Sequence, residues 1–303
     1  MATRINVPTD AGAGAPYTLG SVTSRDGVTI GYRQLGSGPG VIVLHGAMES
    51  AQSHMGLAEA LADAFTVYLP DRRGRGLSGP YAKEYRKEQD VADMDALLSA
   101  TGAHYVFGVS AGADVWLESA LSLPTIEKMA LYEPALSINN SLSMDFLARY
   151  DREIAEGDLA AALVSGMLGA QMGPAFFRAM PRWLLKSFTR SGMTREDKVA
   201  KPGDVTMRQL APTLHYDFTL VAAASRDLER FRAINADVLL LGGSKSPAYL
   251  KTALTTLETI LPHARRIEFP GLDHGGSSDA GSTNPGGKPE VVAQVVRQFF
   301  GEP

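Results

Sequence analysis

Short runs of apolar residues recur along the chain, and almost every position within each run is apolar, rather than every second one. These runs cover residues 41–44, 65–69, 105–109, 128–132 and 238–241. Strands with one face in water alternate apolar and polar side chains, whereas strands covered by helices on both faces are apolar throughout. The pattern therefore predicts the buried, parallel strands of an α/β protein.

Stretches with helical spacing separate these runs. They cover residues 55–64, 88–100, 113–121 and 248–261, and a last helix is predicted over residues 289–300. Alternating strands and helices are typical of right-handed β-α-β units around a parallel sheet. Two β-rich segments, 21–24 and 28–32, precede the first run. They flank the turn pair Asp26-Gly27, which predicts an antiparallel hairpin.

The regular alternation stops between residues 137 and 230. This stretch carries aromatic and methionine side chains at helical spacing and no clear strand, which predicts an all-helical insertion. We therefore expect a core formed by residues 20–136 and 231–303 and a helical cap formed by residues 137–230. Residues 1–19 are expected to be a flexible tail, and the residues 275–287, rich in glycine and serine, a flexible spacer.

The composition is ordinary for a soluble globular protein and excludes several classes. A chain of 303 residues can form one large domain that removes about three quarters of its unfolded surface from water. The net charge is −4 and no basic patch is present, so we expect no nucleic-acid partner. The chain has no cysteine, which excludes disulfides, thiolate metal sites and a cysteine nucleophile.

The most apolar stretch, residues 159–177, is interrupted by polar residues, glycines and a proline. A membrane-spanning helix needs about 20 consecutive, mainly apolar residues. Residues 1–20 also lack the apolar core of a signal peptide. We therefore expect no membrane span and a cytoplasmic location.

A GxSxG pentapeptide, residues 108–112, directly follows an apolar run and precedes a helical stretch. A serine at such a strand-to-helix turn is exposed at the edge of the sheet, which makes Ser110 a candidate nucleophile. The pentapeptide taken alone is also compatible with a glycine-rich turn that has no catalytic role. Its partners elsewhere in the chain decide between the two interpretations.

A serine hydroxyl needs a base that accepts its proton and a third group that orients the base. The chain has six histidines. His274 follows the β-rich residues 266–269 by a short turn, so it is expected at the carboxyl edge of the sheet, where ligands and catalytic groups of open α/β folds collect. His274 is therefore the candidate base for Ser110.

Taken together, these segments resemble the α/β-hydrolase family over nearly the whole chain. The resemblance rests on the hairpin, His45-Gly46 after the first apolar run, residues 71–78 after the second, the Ser110 turn and residues 272–275. It implies a mostly parallel, twisted sheet of about eight strands, flanked by helices and carrying a helical cap. The family order of nucleophile, acid and histidine agrees with Ser110 and His274.

The acid departs from the commonest pattern of the family. Most members place it after the strand predicted at 238–241, but no carboxylate occurs between Val238 and Leu257. Glu133 follows the preceding strand, at the position that a minority of the family uses, and is the expected acid. Asp273, adjacent to His274, is the competing candidate, although neighbouring side chains in a loop seldom face each other.

The resemblance also implies which groups bind the oxyanion and the substrate. The backbone N–H groups of Ala47 and Ala111 are expected to form the oxyanion hole. Apolar side chains expected to contact the substrate are Met48, Phe146, Met167 and Trp183. The histidines have no close metal-ligand spacing and no phosphate-binding loop is present, so neither a metal nor another cofactor is expected.

The sequence thus predicts a serine hydrolase that cleaves a carboxylic ester or lactone of an apolar small molecule through an acyl-enzyme. Serine at the turn argues against haloalkane dehalogenase and epoxide hydrolase activity, for which the family uses a carboxylate nucleophile. Carbon–carbon bond hydrolysis, perhydrolysis and a non-catalytic role as a small-molecule receptor remain alternatives. Whether the protein forms a homodimer is left open.

Overall fold

The computed structural model describes residues 3–6, 16–281 and 284–302. Within these residues the chain forms a nine-stranded sheet with helices on both faces. The strands are Thr3–Asn6 (β1), Thr18–Thr23 (β2), Thr29–Gly36 (β3), Gly40–Leu44 (β4), Thr66–Pro70 (β5), Tyr105–Val109 (β6), Lys128–Tyr132 (β7), Asp237–Gly243 (β8) and Ala264–Phe269 (β9). Every apolar run described above forms a strand of this sheet.

The strand order is β1-β2-β3-β5-β4-β6-β7-β8-β9. The pairs from β1 to β5 through β3 are antiparallel, and all the other pairs are parallel. The predicted hairpin corresponds to β2 and β3. The mostly parallel α/β sheet is therefore confirmed.

The α-helices are Met55–Leu61 (α1), Lys87–Thr101 (α2), Ala111–Ala120 (α3), Leu147–Ala155 (α4), Leu159–Gly169 (α5), Arg182–Val199 (α6), Met207–Leu210 (α7), Leu214–Ala224 (α8), Ala248–Ile260 (α9) and Pro289–Gly301 (α10). Short 3₁₀ turns cover Ala51–His54, Ala175–Ala179, Ala211–Thr213 and Glu229–Ala233. In the described part of the chain, no helix combines the length and the apolar character needed to cross a bilayer.

Successive residues of the central strands enter two hydrophobic layers on opposite faces of the sheet. On β4, Ile42 packs into the layer that α2, α3 and α9 cover, whereas Val43 packs into the layer that α1 and α10 cover. Both side chains are almost fully buried. This arrangement explains why the strand sequences are apolar at consecutive positions.

All the helices from α4 to α8 lie between β7 and β8, so the insertion predicted at 137–230 is helical. We keep the name cap for residues 137–230. An ion-pair cluster joins the cap to the core, because Asp217 on α8 contacts Arg72 Nη1 at 2.7 Å and Arg75 Nη2 at 2.5 Å. All three side chains are buried.

Two predictions about flexible segments need correction. The predicted tail, residues 1–19, contains β1, which pairs antiparallel with β2, and the first residues of β2 itself. Residues 1–2 and 7–15 lie outside the described residues. Backbone pairing at a sheet edge requires no apolar run, which is why the composition of the tail did not reveal β1.

The predicted spacer, residues 275–287, is a packed loop in its described part. Ser277 and Ser278 are buried, and Asp279 Oδ1 accepts a hydrogen bond of 2.8 Å from the Gly56 N–H of the core. Asn284 Nδ2 donates to the Gly275 carbonyl at 2.9 Å. The small residues of this loop allow close packing, whereas the composition alone suggested flexibility. Residues 282–283 lie outside the described part of the chain.

Candidate active site

The register of three neighbouring parallel strands determines the site. Val109 of β6 pairs with Tyr132 of β7, and Tyr132 pairs with Leu241 of β8. The residues that follow these positions therefore emerge side by side at the carboxyl edge of the sheet. Ser110 and Glu133 are the first residues beyond β6 and β7.

Ser110 occupies a strained turn between β6 and α3. Its backbone has φ 52° and ψ −126°, a left-handed φ that is uncommon for a residue with a side chain. A Cβ atom at Gly112 would lie 2.5 Å from the His45 carbonyl oxygen, and one at Gly108 would lie 2.8 Å from the Gly112 carbonyl oxygen. The turn therefore requires glycine on both sides of Ser110, as the pentapeptide indicates.

Glu133 and His274 form a buried pair. The Glu133 Oε2 atom lies 2.7 Å from Nδ1 of His274, and Glu133 Oε1 accepts a hydrogen bond of 2.7 Å from the Gly243 N–H. The Glu133 side chain is fully buried and that of His274 is 14% exposed. Burial lowers the pKa of His274, but the hydrogen bond and the charge of Glu133 outweigh it and raise the pKa above its ordinary value.

The glycines that end β8 make room for this carboxylate. A Cβ at Gly242 would lie 3.0 Å from Glu133 Oε1, and one at Gly243 would lie 2.3 Å from the Leu272 carbonyl oxygen. Most of the family carries its acid in the segment that follows β8. In this protein the end of β8 instead accommodates the carboxylate of Glu133, which follows β7. Lys245, in that segment, is exposed and lines the site cavity.

The alternative acid, Asp273, does not face the imidazole of His274. Its Oδ1 atom accepts a hydrogen bond of 3.0 Å from the Gly275 N–H, and its carbonyl accepts one of 2.7 Å from Tyr132 Oη. Asp273 therefore shapes the loop around His274. The partner of His274 Nδ1 in the structure is Glu133.

Ser110 and His274 line the same cavities. Among the described residues, no hydrogen bond joins their side chains. In unliganded enzymes this contact is often long and shortens when a substrate binds. The imidazole and the hydroxyl border the same space, so a substrate bound there would contact both groups.

The groups predicted to bind an oxyanion lie beside Ser110. Ala111 is the first residue of α3, where N–H groups have no acceptor within the helix. Ala47 lies in the turn after β4 and lines the same cavity as Ser110 and Ala111. The next residue, Met48, has a left-handed φ of 55°.

His45 stabilises the start of this turn. Its Nε2 atom accepts a hydrogen bond of 3.0 Å from the Arg72 N–H, and its Nδ1 atom lies 2.9 Å from the Gly46 carbonyl oxygen. Burial, with the nearby charges of Arg75 and Arg72, lowers the pKa of His45 well below its ordinary value. A neutral imidazole that donates through Nδ1 satisfies both contacts, so His45 stabilises this turn by hydrogen bonds.

Two adjoining cavities meet at Ser110. One has a volume of about 390 Å³ and lies between the core and the cap, with mainly apolar walls. The other has a volume of about 1050 Å³ and includes charged and amide side chains, among them Glu49, Gln171, Arg178, Lys245, Asp273 and Asn284. We call them the apolar cavity and the polar cavity.

The predicted substrate contacts fall into two groups. Met48 lines both cavities and Met167 lines the apolar cavity. Phe146 lies one layer behind the wall, packed edge-to-face on Phe218 with 4.6 Å between the ring centroids. Trp183 is 71% exposed on the outer surface of the cap. The structure does not place Phe146 and Trp183 in the walls of these two cavities. Apolar spacing on a helix does not tell which face is turned to the site.

Sequence reasoning missed Glu49 and Asp217. Glu49 lines the polar cavity, and Asp217 contributes to the wall of the apolar cavity. A signal for Glu49 existed in its position close after His45-Gly46, but its partner Ser278 lies far along the chain. In the described part of the chain, no group of three histidine or acidic side chains is arranged to hold a metal ion.

The strand order, the strained turn at Ser110 and the carboxylate of Glu133 at a strand end are features of an α/β hydrolase. A model of the family described as serine aminopeptidase, S33, matches residues 39–297. Since this match covers most of the chain, the protein belongs to that family of α/β hydrolases.

Individual relatives agree with this assignment. A solved α/β hydrolase from Sphaerobacter thermophilus DSM 20745 is 30% identical, with a TM-score of 0.73 over 92% of this chain and 99% of that chain. A solved thermophilic esterase from Thermogutta terrifontis is 18% identical, with a TM-score of 0.65 over 92% and 97% of the two chains. The 2-(acetamidomethylene)succinate hydrolase of Mesorhizobium japonicum is 22% identical over 82% of this chain and 85% of its own length.

Proposed function

We propose that this hydrolase cleaves a carboxylic ester or lactone of an apolar small molecule through an acyl-enzyme formed on Ser110. The observation that carries the proposal is the contact of 2.7 Å between Glu133 and His274 at the cavity that Ser110 lines. Glu133 accepts from Nδ1 of His274 and so leaves Nε2 as the nitrogen that accepts the serine proton. The esterase activity named for the Thermogutta terrifontis relative supports the same choice.

In the proposed reaction, Ser110 Oγ attacks the carbonyl carbon and its proton passes to His274. The N–H groups of Ala47 and Ala111 stabilise the negative charge that develops on the carbonyl oxygen. The bond to the leaving alcohol breaks as His274 returns the proton to the alcohol oxygen. Water then attacks the acyl-enzyme while His274 accepts its proton. The bond between the acyl carbon and Ser110 Oγ breaks, His274 returns the proton to Oγ, and the carboxylic acid is released.

The shape of the site supports an apolar substrate. The apolar cavity has a volume of about 390 Å³, which falls in the range of roughly 300–1,000 Å³ typical of small-molecule pockets. Its walls include Met48, Met167 and Leu214. Such walls favour an aliphatic or aromatic group over a polar one.

The proposal is tested with p-nitrophenyl esters of increasing acyl length, together with lactones. We expect turnover by the wild-type protein and none above background by Ser110→Ala. Ser122→Ala, at an exposed serine just beyond α3, is the matched control and should equal the wild type. Equal turnover by Ser110→Ala would exclude the acyl-enzyme.

Carbon–carbon bond hydrolysis and perhydrolysis need the same nucleophile and therefore enter the screen as separate arms. A vinylogous β-diketone tests the first, and peracid formation from hydrogen peroxide and a short carboxylic acid tests the second. Activity in one of these arms without activity on any ester or lactone would replace the proposed substrate class. A chain that binds such molecules without converting any of them would be a receptor.

A further inference from the structure

A second glutamate–histidine pair lies beside the polar cavity, with its glutamate in the cavity lining. Glu49 Oε2 lies 3.1 Å from Nε2 of His54, whose ring is fully buried, while the Glu49 side chain remains 22% exposed. Glu49 lines the polar cavity together with Ser110 and His274. The proposed reaction gives neither member of this pair a role.

Glu49 contacts the turn that carries Ala47, one of the two expected oxyanion-binding groups. Its Oε2 atom accepts a hydrogen bond of 2.8 Å from the Gly46 N–H, directly before Ala47. A Cβ atom at Gly46 would lie 3.1 Å from both Glu49 Oε2 and the Ser110 Cβ atom. The Glu49 carboxylate and the nucleophile Ser110 therefore lie close to each other on either side of Gly46.

The turn needs such support because its backbone is strained. Met48 has a left-handed φ of 55°, which is unfavourable for a side chain of this size. A strained conformation persists only where surrounding contacts impose it. The hydrogen bond from the Gly46 N–H to Glu49 is such a contact, and both residues line the polar cavity.

The same carboxylate also connects the turn to the loop after His274. Glu49 Oε1 accepts a hydrogen bond of 2.6 Å from Ser278 Oγ. The other ring nitrogen of His54, Nδ1, lies 3.3 Å from the Ser277 carbonyl oxygen. Because both nitrogens of His54 face oxygen acceptors, a protonated ring satisfies both contacts.

Charge reinforces this network. Burial opposes ionisation of Glu49, but the charge of His54 and the hydrogen bonds from His54, Ser278 and Gly46 lower the pKa of Glu49 to about 2. Burial likewise opposes protonation of His54, whereas the charge and hydrogen bond of Glu49 raise its pKa. Glu49 is therefore an anion with both oxygens engaged, which suits it to hold groups in place rather than to transfer protons.

We propose that Glu49 is a positioning residue that holds the Gly46–Ala47 backbone toward the oxyanion and connects this turn, through Ser278, to the loop of His274. This inference rests on the proposed acyl transfer at Ser110. The substrate is not required to test it, because a fluorophosphonate reacts at the same groups. Ser110 Oγ forms a bond to phosphorus, fluoride leaves, His274 takes the serine proton, and the phosphoryl oxygen occupies the oxyanion position.

The experiment measures the rate constant for labelling Ser110 in the full chain. We expect Glu49→Ala to label roughly 10- to 100-fold more slowly, since the loss of a well-placed oxyanion donor has effects of this order or larger. Glu49→Gln keeps an oxygen that accepts from the Gly46 N–H. Its labelling rate should therefore recover to within about threefold of the wild type, because this hydrogen bond again holds the turn that carries the Ala47 N–H. Recovery by the uncharged isostere identifies the hydrogen bond as the cause.

Glu127 provides the matched control. It also pairs with a histidine, His104, but the contact is 3.6 Å long and both side chains are exposed. Glu127 directly precedes β7, and His104 directly precedes β6. Glu127→Ala should label at the wild-type rate. Thermal unfolding of all variants separates slow labelling from loss of fold. Should Glu49→Ala fail to fold, Glu49→Gln and Ser278→Ala provide the same comparison.

The pH dependence of labelling is the readout that a purely structural role would not change. The acidic groups that raise the pKa of His274 are Glu133, Glu49 and Asp273, while Glu49 itself faces His54, which also lies near Asp279. Glu49→Gln removes one of these charges, so the acid limb of the labelling rate should move to lower pH. Asp279 stays in place in every variant.

Three outcomes are distinguishable. Slow labelling of Glu49→Ala, recovery in Glu49→Gln and a shifted acid limb support the role of Glu49. Wild-type rates and an unshifted limb in both folded variants would overturn that role and leave the function of Ser110 intact. Failure of the folded wild type to label at Ser110 would overturn the proposed function and the role of Glu49 with it.

Discussion

The core and the cap both contain a buried carboxylate at the site, but they hold it in different ways. Glu133 of the core is the first residue after a strand, and its contacts to His274 and to the Gly243 N–H come from segments that neighbouring strands deliver to the same edge. Asp217 of the cap lies on α8 and contacts Arg72 and Arg75, more than a hundred residues earlier in the chain.

This difference separates chemistry from placement. The carboxyl ends of parallel strands bring Ser110, Glu133 and His274 together whatever the cap does. The cap encloses the apolar cavity only while α8 stays docked on the loop after β5. We therefore expect changes in the core to act on turnover and changes in the cap to act on stability and substrate choice.

The largest expected effect tests the core. Glu133→Gln should lower kcat/KM by about 10³- to 10⁴-fold, because an amide in place of the acid allows His274 to adopt the wrong tautomer and fails to stabilise the imidazolium. The measurement is steady-state hydrolysis of an ester found active in the screen. Asp273→Asn is the comparison and should cost far less, and the reverse ranking would make Asp273 the acid.

The next effect tests the connection between cap and core. Asp217→Asn leaves Arg72 and Arg75 buried without their shared counter-charge, so the free energy of unfolding should fall by about 3–5 kcal/mol. Denaturant titration measures it. Asp197 of the cap, which pairs with Arg208 at 2.7 Å on the surface, provides the control. Asp197→Asn should leave the same free energy nearly unchanged, because exposed ion pairs contribute little to stability.

A smaller effect concerns pH. Turnover needs neutral His274, and Glu133 raises the pKa of this histidine, so the acid limb of kcat/KM should lie above pH 6.5, the ordinary histidine value. As pH falls through that raised pKa, His274 becomes protonated and activity is lost. A rate profile from pH 5 to pH 9 measures the limb. A limb well below pH 6.5 would show that the Glu133–His274 contact does not dominate in solution.

The sequence predicted the core of the site better than its surroundings, for physical reasons. Apolar runs reveal parallel strands directly, and strand order then places Ser110, Glu133 and His274 at one edge without knowledge of any side-chain contact. The strand β1 and the contacts of the loop after His274 depend on pairing between distant segments. Composition does not encode such pairing, so β1 appeared as tail and the loop as spacer.

The cap shows the same limit at the level of single residues. Met167 on α5 and Trp183 on α6 both belong to apolar patterns, yet Met167 lines the apolar cavity and Trp183 faces solvent. Helical spacing identifies which residues share a face. It does not identify what that face is packed against, because this depends on how α5, α6 and α8 are docked on the core.

The smallest expected effects test this assignment of faces within the cap. Met167→Ala removes an apolar contact from the wall of the apolar cavity. The value of kcat/KM for esters with a bulky apolar group should therefore fall by about tenfold, which is the order of effect of losing a methylene-sized contact. Short-chain esters, which do not reach that wall, should change less. Trp183→Ala, on the outer face, should leave kcat/KM within about twofold for both classes. Trp183→Ala could instead lower kcat/KM in a substrate-dependent way and by more than Met167→Ala does. This outcome would mean that α6 turns its tryptophan toward the substrate when the site is occupied. The contrast between a fixed core and a docked cap would then have to include a cap helix that moves.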